Sequence, residues 1–395
     1  MHYEDTKRKI LRGRTPMIPF DYKMQWRIFK LHFKHKGLGA TTWRYLLLLL
    51  PVIILNHIVQ QFFFLLDEVF FRSYRKISTD GAIFMVGPPR CGTSLFLELL
   101  NKSDEITSMK LWELNVAPAI IQKLFYLQIG KLDRWLGSPL YNAYRKIDAK
   151  LFGEFKKIHD TGLFHYEEDA MLFYHSGNSP FFLFFFPFIE LKTPFMNFDQ
   201  LTSPEYKAKY MKFYKRCIQK HLYVFGRHKI YLSKNPLFST YILTLKAHIT
   251  DARFIFMTRT PYKVAPSAIS LSTYYKDYLR YVDDQFIKDA LFQMLKIEYT
   301  YPLEVLDFND QKHHAMIRFE DLVADTKATV ERVLTQFSLR CPEELQKALA
   351  ERSKKEKHYV SQNRYSFEKY NISEAEFKNY FEEVLLKFGY EEEGV

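Results

Sequence analysis

Three short stretches of the chain hold side chains suited to gripping an anion. The first is Gly87-Pro88-Pro89-Arg90-Cys91-Gly92-Thr93-Ser94, placed between the apolar run Ala82–Val86 and the helical pattern Leu95–Leu100. A buried strand, a tight loop with two glycines and a helix opening on hydroxyl residues form a phosphate cradle. Backbone N–H groups converge on the anion there, and the helix dipole favours it. The G-x-x-x-x-G spacing is that of an ATP-binding loop, but Thr93 occupies the place of the Lys that reaches a triphosphate, and the strong cation is Arg90, inside the loop. The second stretch ends the strand-like run Arg253–Arg259 and continues through Thr260-Pro261 to Ser267, offering a guanidinium fork and a hydroxyl to a phosphate. The third is Leu232-Ser233-Lys234-Asn235-Pro236, with Lys234 just past another strand-like run. Taken singly, each has a plain reading: a Gly-Pro-Pro turn with a solvated Arg, or a surface Lys before a turn.

The elements that must position these residues form a regular alternation. Residues 82–87, 229–233, 253–259 and 314–319 read as short buried strands, and Pro204–Phe225, Pro261–Tyr275, Asp283–Leu306 and Leu322–Phe337 as helices between them. That order predicts an α/β fold of three layers, a central parallel sheet flanked by helices, with ligands at the carboxyl ends of its strands. Residues 67–395 read as one domain after an N-terminal segment, 1–66.

Composition narrows the function classes. Of 395 residues 47% are hydrophobic and 26% charged, which excludes a disordered chain, a fibre and a polytopic membrane protein. Three cysteines, Cys91, Cys217 and Cys341, are too few for a disulfide framework and point to a reducing, cytoplasmic compartment. No metal-ligand cluster stands out; His313-His314 reads equally well as a surface pair. The net charge of +12 is concentrated in residues 1–44, where eleven Lys/Arg face only Glu4, Asp5 and Asp21, so nucleic acid is not the expected partner. Next comes Tyr45–Leu66, long enough to cross a bilayer, with Asn56, His57, Gln60 and Gln61 on one helical face and Pro51 as an expected kink. Three readings stand: a helix packed on the domain, an amphipathic helix in peripheral contact with the inner membrane surface, or a span.

Together the motifs resemble those of the sulfotransferase superfamily that uses 3′-phosphoadenosine 5′-phosphosulfate (PAPS). The loop Gly87–Ser94 resembles its 5′-phosphosulfate loop, in the branch with a PRSGTT-type sequence, and Arg259-Thr-Pro261 with Ser267 its 3′-phosphate motif. Arg318-Phe-Glu-Asp-Leu-Val-Ala-Asp325 is similar to its late strand-to-helix junction, and Arg364 lies in a C-terminal part similar to that branch. The resemblance covers residues 67–395 and implies sulfuryl transfer from PAPS to a hydroxyl or amine, giving PAP, with no metal. It assigns the donor to Arg90, Cys91, Gly92, Thr93, Ser94, Arg259, Ser267 and Arg364, and to Lys234 charge stabilisation. Cys91 stands where the family usually has Ser, so its contact is a weaker one and open to oxidation. Two residues compete as proton acceptor. Glu113 stands about twenty residues past the loop, where related enzymes place a Glu, and Trp112 and Leu114 would desolvate it. His159, ahead of the acidic run Tyr166-Glu-Glu-Asp169, accepts a proton at neutral pH without tuning and is the favoured base, with His165 in reserve.

The acceptor is read from composition. Phe181–Phe188 holds six Phe in eight residues, in the region where sulfotransferases build the acceptor site, and the chain beyond residue 44 is nearly charge-balanced. An apolar alcohol (sterol, steroid or lipid) fits such a pocket better than a carbohydrate or another polar acceptor. Two competing classes are a P-loop kinase, which calls for a Lys at position 93, and an inactive membrane-docked scaffold, which would bind no PAP.

Overall fold

A computed structural model describes residues 17–37, 39–156, 161–179, 182, 196–279, 284–356, 367 and 372–390. Five strands, β1 (Ile83–Val86), β2 (Ile106–Thr107), β3 (Ile230–Lys234), β4 (Arg253–Thr258) and β5 (His314–Arg318), form one sheet in the order β2-β3-β1-β4-β5. Every pairing is parallel, with Phe84 opposite Ser233 on one side and Phe254 on the other. The strands are apolar on both faces because helices cover both; Ile83, Phe84, Ile255 and Phe256 are fully buried. Each such side chain contributes about 1.5–3 kcal/mol relative to exposure. Four strands coincide with the apolar runs of the sequence. The two-residue β2 does not, because so short a strand shows no alternation to read.

The helices used below are α1 (Tyr22–Lys36), α2 (Leu50–Phe70), α3 (Thr93–Leu100), α4 (Leu111–Asn115), α5 (Ile120–Trp135), α6 (Pro139–Lys156), α7 (Pro204–Phe225), α8 (Pro261–Leu279) and α9 (Asp284–Val305). Ser203 caps α7 by accepting the Tyr206 N–H, with Pro204 in the first turn. The long apolar helix runs past residue 66 to Phe70 and does not break at Pro51. Instead a π-helical turn, Tyr45–Leu49, precedes it, with the Leu50 N–H reaching the Tyr45 carbonyl. The wider turn directly precedes the proline, which removes one N–H donor from the helical ladder.

The polar stripe of α2 faces the protein. Asn56 donates to His175 Nδ1 (3.0 Å), His57 donates to the His175 carbonyl (2.7 Å), and Gln60 to the Val116 carbonyl (3.4 Å). Gln61 bonds the Ile18 carbonyl. Asp67, fully buried, accepts the N–H groups of Ile120 (2.8 Å) and Ile121 (3.1 Å) at the start of α5 and pairs with the buried Lys220 of α7. The opposite face of α2 carries Val52, Leu55, Ile58, Val59, Phe62 and Val69, all exposed. Thr42–Phe70 is long and apolar enough to cross a membrane by length and composition. Clamped along its length to the domain, it lies on the protein's surface.

Candidate functional site

The loop after β1 is shaped by two close approaches. Gly87 has φ +110, and a Cβ there would come within 2.2 Å of the Met257 carbonyl oxygen of β4, so only glycine fits. Gly92, at φ +78, brings the loop against Phe319 and Leu322. Between them Arg90 itself lies in the left-handed region at φ +67, a conformation costly for a non-glycine residue and concentrated at binding sites.

That conformation sends the Arg90 side chain toward α8, where its Nε donates to Ser267 Oγ at 3.1 Å. Arg259, at the carboxyl end of β4, donates from Nη1 to the Arg90 carbonyl at 3.2 Å, and its guanidinium lies 4.1 Å above the Phe319 ring. The Tyr299 hydroxyl of α9 donates to the Arg259 carbonyl, and Glu320 accepts the Thr260 N–H at 3.3 Å. Residues far apart in sequence, Arg90, Arg259 and Ser267, therefore share one place at the end of the sheet. The adjacent buried Thr260 hydroxyl has no hydrogen-bond partner among the described residues, an uncommon state for a buried polar group. Two guanidinium groups, a helix N-terminus and the hydroxyls of Ser94 and Ser267 fit a molecule with phosphate at two positions.

Lys234 ends β3. Strand alternation puts Tyr231, Ser233 and Asn235 on one face, and all three donate to the buried Asp169 carboxylate, at 2.7, 2.9 and 3.5 Å, joined by the Tyr214 hydroxyl. Burial pushes the Asp169 carboxyl up despite these donors. The other face sends Lys234 toward the loop, where its Nζ is 3.4 Å from Ser94 Oγ at the start of α3 and 3.8 Å from Glu167 Oε2. The sequence marked Asp169 only as part of an acidic run. Its four donors come from elements that the fold alone brings together.

Two site assignments change. Cys91 is fully buried and its thiol points to the Pro89 carbonyl (3.6 Å), while burial raises its pKa well above the usual thiol range. It offers a ligand at most its backbone N–H and is a poor target for oxidation. Glu113 is desolvated as expected, but that effect is outweighed. His221 donates to it at 2.7 Å, Lys123 lies 3.2 Å away and the Lys110 N–H donates at 3.0 Å, so its carboxyl falls to about 2. A carboxylate held so firmly ionised is a weak proton acceptor near neutrality and instead anchors α4 to α5 and α7. The sequence showed Lys123 and His221 only as inward positions of helices, with no sign of a shared partner. His159, Arg364 and most of Phe181–Phe188 lie outside the described residues. Phe182 is buried in a small cluster with Met24, Ile28, Leu31 and Tyr45, against the N-terminal helices.

A second buried glutamate behaves oppositely. Glu298 of α9 is 1% exposed and neither carboxyl oxygen has a hydrogen-bond partner among the described residues. Burial and the nearby Glu168 raise its pKa well above the usual range, so it stays protonated.

The comparisons with known proteins agree with this geometry. Residues 82–344 match the model of the sulfotransferase family. The chain is 26% identical over 276 residues to omega-hydroxy-beta-dihydromenaquinone-9 sulfotransferase Stf3 of Mycobacterium bovis and of Mycobacterium tuberculosis. The match takes in 67% of this chain, and the chain spans 64% of the length of those relatives. In fold it is similar to the crystal structures of sulfotransferase STF9 from Mycobacterium avium (TM-score 0.69, 15% identity, 92% of this chain and 96% of that one) and STF1 from Mycobacterium tuberculosis (0.64, 17%, 91% of each). With its loop, its paired arginines and two thirds of its length inside the match, the chain belongs to the sulfotransferase family.

Proposed function

We propose that the protein transfers a sulfuryl group from PAPS to the hydroxyl of an apolar, lipid-like alcohol that it meets at a membrane surface. The convergence of Arg90, Arg259 and Ser267 carries the donor half of this reading. When bound, PAPS supplies an activated sulfuryl group on a phosphate leaving group. Arg90, the 92–94 backbone and the Thr93 and Ser94 hydroxyls hold the 5′-phosphate, and Arg259 with Ser267 the 3′-phosphate. Arg364 is proposed to join them on family resemblance alone. Lys234, held beside Ser94, is proposed to stabilise charge on the donor, and His159 is the proposed proton acceptor. Glu113 takes a positioning role through His221 and Lys123.

The acceptor half is supported by two observations. The relatives that match over two thirds of this chain are named for a menaquinone derivative, omega-hydroxy-beta-dihydromenaquinone-9. And α2 turns its polar stripe onto the protein and its apolar stripe outward, as a helix solvated by acyl chains does. This suits a peripheral protein at the inner membrane surface.

Incubation with radiolabelled PAPS and either a lipid extract or a glycan pool tests both halves. Label in a chloroform-soluble product is expected. Label only in glycans would replace the acceptor, and failure to bind PAP in a titration would overturn the donor reading.

A further inference from the structure

We propose that the α5–α6 hairpin is a second bilayer contact, which with α2 forms one plate seated on an anionic phospholipid surface. The idea rests on the membrane reading of α2 but stands on different residues. In α5 three polar positions point inward and each has a partner, whereas Gln128, Lys131 and Arg134 are exposed. Gln122 accepts the Ala119 N–H at 3.1 Å, Lys123 donates to the Ala117 carbonyl at 2.6 Å, and Asp133 accepts the N–H groups of Leu140 (2.7 Å) and Tyr141 (3.1 Å), capping α6. An outward apolar face is also present: Phe125, Leu132 and, just past the helix, Leu136 are more than half exposed, and Trp135, at the tip, is 80% exposed, while Ile120 is buried. Leu140 continues the patch across the turn.

A water-facing helix shows the reverse pattern. Two neighbouring helices that both show polar-inward, apolar-outward faces form a patch whose solvent is apolar. Charge selects the partner. Among the described side chains of the hairpin the exposed cations are Lys131, Arg134, Arg145, Lys146 and Lys150, against a half-buried Asp148 and a buried Asp133. That balance attracts anionic headgroups, each nearby cation contributing about 1 kcal/mol, and opposes pairing with a second copy of the same face. Asp67 completes the plate, because by capping α5 from α2 it fixes the two apolar faces to one another.

Flotation of the full chain with vesicles of phosphatidylcholine, with and without phosphatidylglycerol, tests the proposal. The triple variant Leu132→Ser, Trp135→Ser, Leu136→Ser is expected to lower partitioning onto phosphatidylglycerol vesicles by about tenfold or more, with PAP affinity unchanged as a check on folding. Trp135 fluorescence, taken as the difference from Trp135→Phe, is expected to shift to the blue and to be quenched by brominated lipid. Unchanged partitioning with no quenching would overturn the hairpin contact. If an Ile58→Ser, Phe62→Ser variant still left the vesicles in that case, the reading of α2 would survive alone. Light scattering that showed a dimer dissociated by the triple variant would assign the face to a second copy and also overturn the proposal.

Discussion

The end of the sheet and the outer helical face bury polar groups for opposite purposes. Around the loop, Arg90, Arg259, Lys234 and the Thr260 hydroxyl gather with bonding capacity to spare, at the cost of a left-handed Arg90. Along α2 and α5 most inward polar groups are consumed by the protein, the buried Gln60 Oε1 excepted: Asp67 by two amides and Lys220, Gln122 by an amide, Lys123 by a carbonyl and Glu113. Spare capacity marks a place for a ligand, whereas exhausted capacity marks a clamp. Substitutions should therefore change activity in the first region and stability in the second.

The largest effect expected is on the clamp. Asp67→Ala strands the buried Lys220 ammonium and uncaps α5, so a loss of about 3–5 kcal/mol is expected in chemical denaturation; a loss under 1 kcal/mol would erase the distinction between the regions. Next, Arg90→Ala is expected to lower kcat/KM by about 10²–10³-fold while Tm stays within a few degrees. A comparable fall in Tm would make the loop arginine structural.

The two buried glutamates sharpen the comparison through pH. Glu113, depressed from 4.5 to about 2, contributes stability that is present above pH 4.5 and lost as the pH falls through about 2. Acid denaturation of wild type should accordingly be steeper than that of Glu113→Gln, by roughly 3 kcal/mol across that window. Glu298 has a raised pKa, so the folded state holds a proton that the unfolded state releases above pH 4.5, and stability falls as the pH rises. Glu298→Gln should therefore raise Tm at pH 8 and change it little at pH 4, by the smallest margin of the four, readable in paired thermal melts.

Much of the sheet end is legible in the sequence because its information is local. Apolar runs mark four of the five strands, and Gly87, Arg90, Arg259 and Ser267, which the fold brings together, stand out by type and spacing. What stayed hidden depends on partners distant in the chain. Glu113 reads as a desolvated base until His221 and Lys123 arrive from two other helices. Asp169 reads as one acid among three until Tyr214, Tyr231 and Ser233 surround it. The stripe of α2 was visible as a stripe, but only the packed structure tells which side turns inward. In α5 the pattern passed unnoticed, since inward Lys and outward Trp contradict the usual expectation for a soluble helix.

The double cap that Asp67 places on α5 has a consequence for how the enzyme can be held. A helix joined to its domain by a loose tether could dip into lipid while the rest of the molecule tumbled freely. Here detachment would strip one helix of its N-terminal acceptor and leave a lone ammonium in the core, so helix and domain must move as a rigid body. Under the proposed membrane seating, the mouth of the reaction centre would keep a constant height and tilt above the lipid, fixing which carbon along the proposed long-chain alcohol can present its hydroxyl.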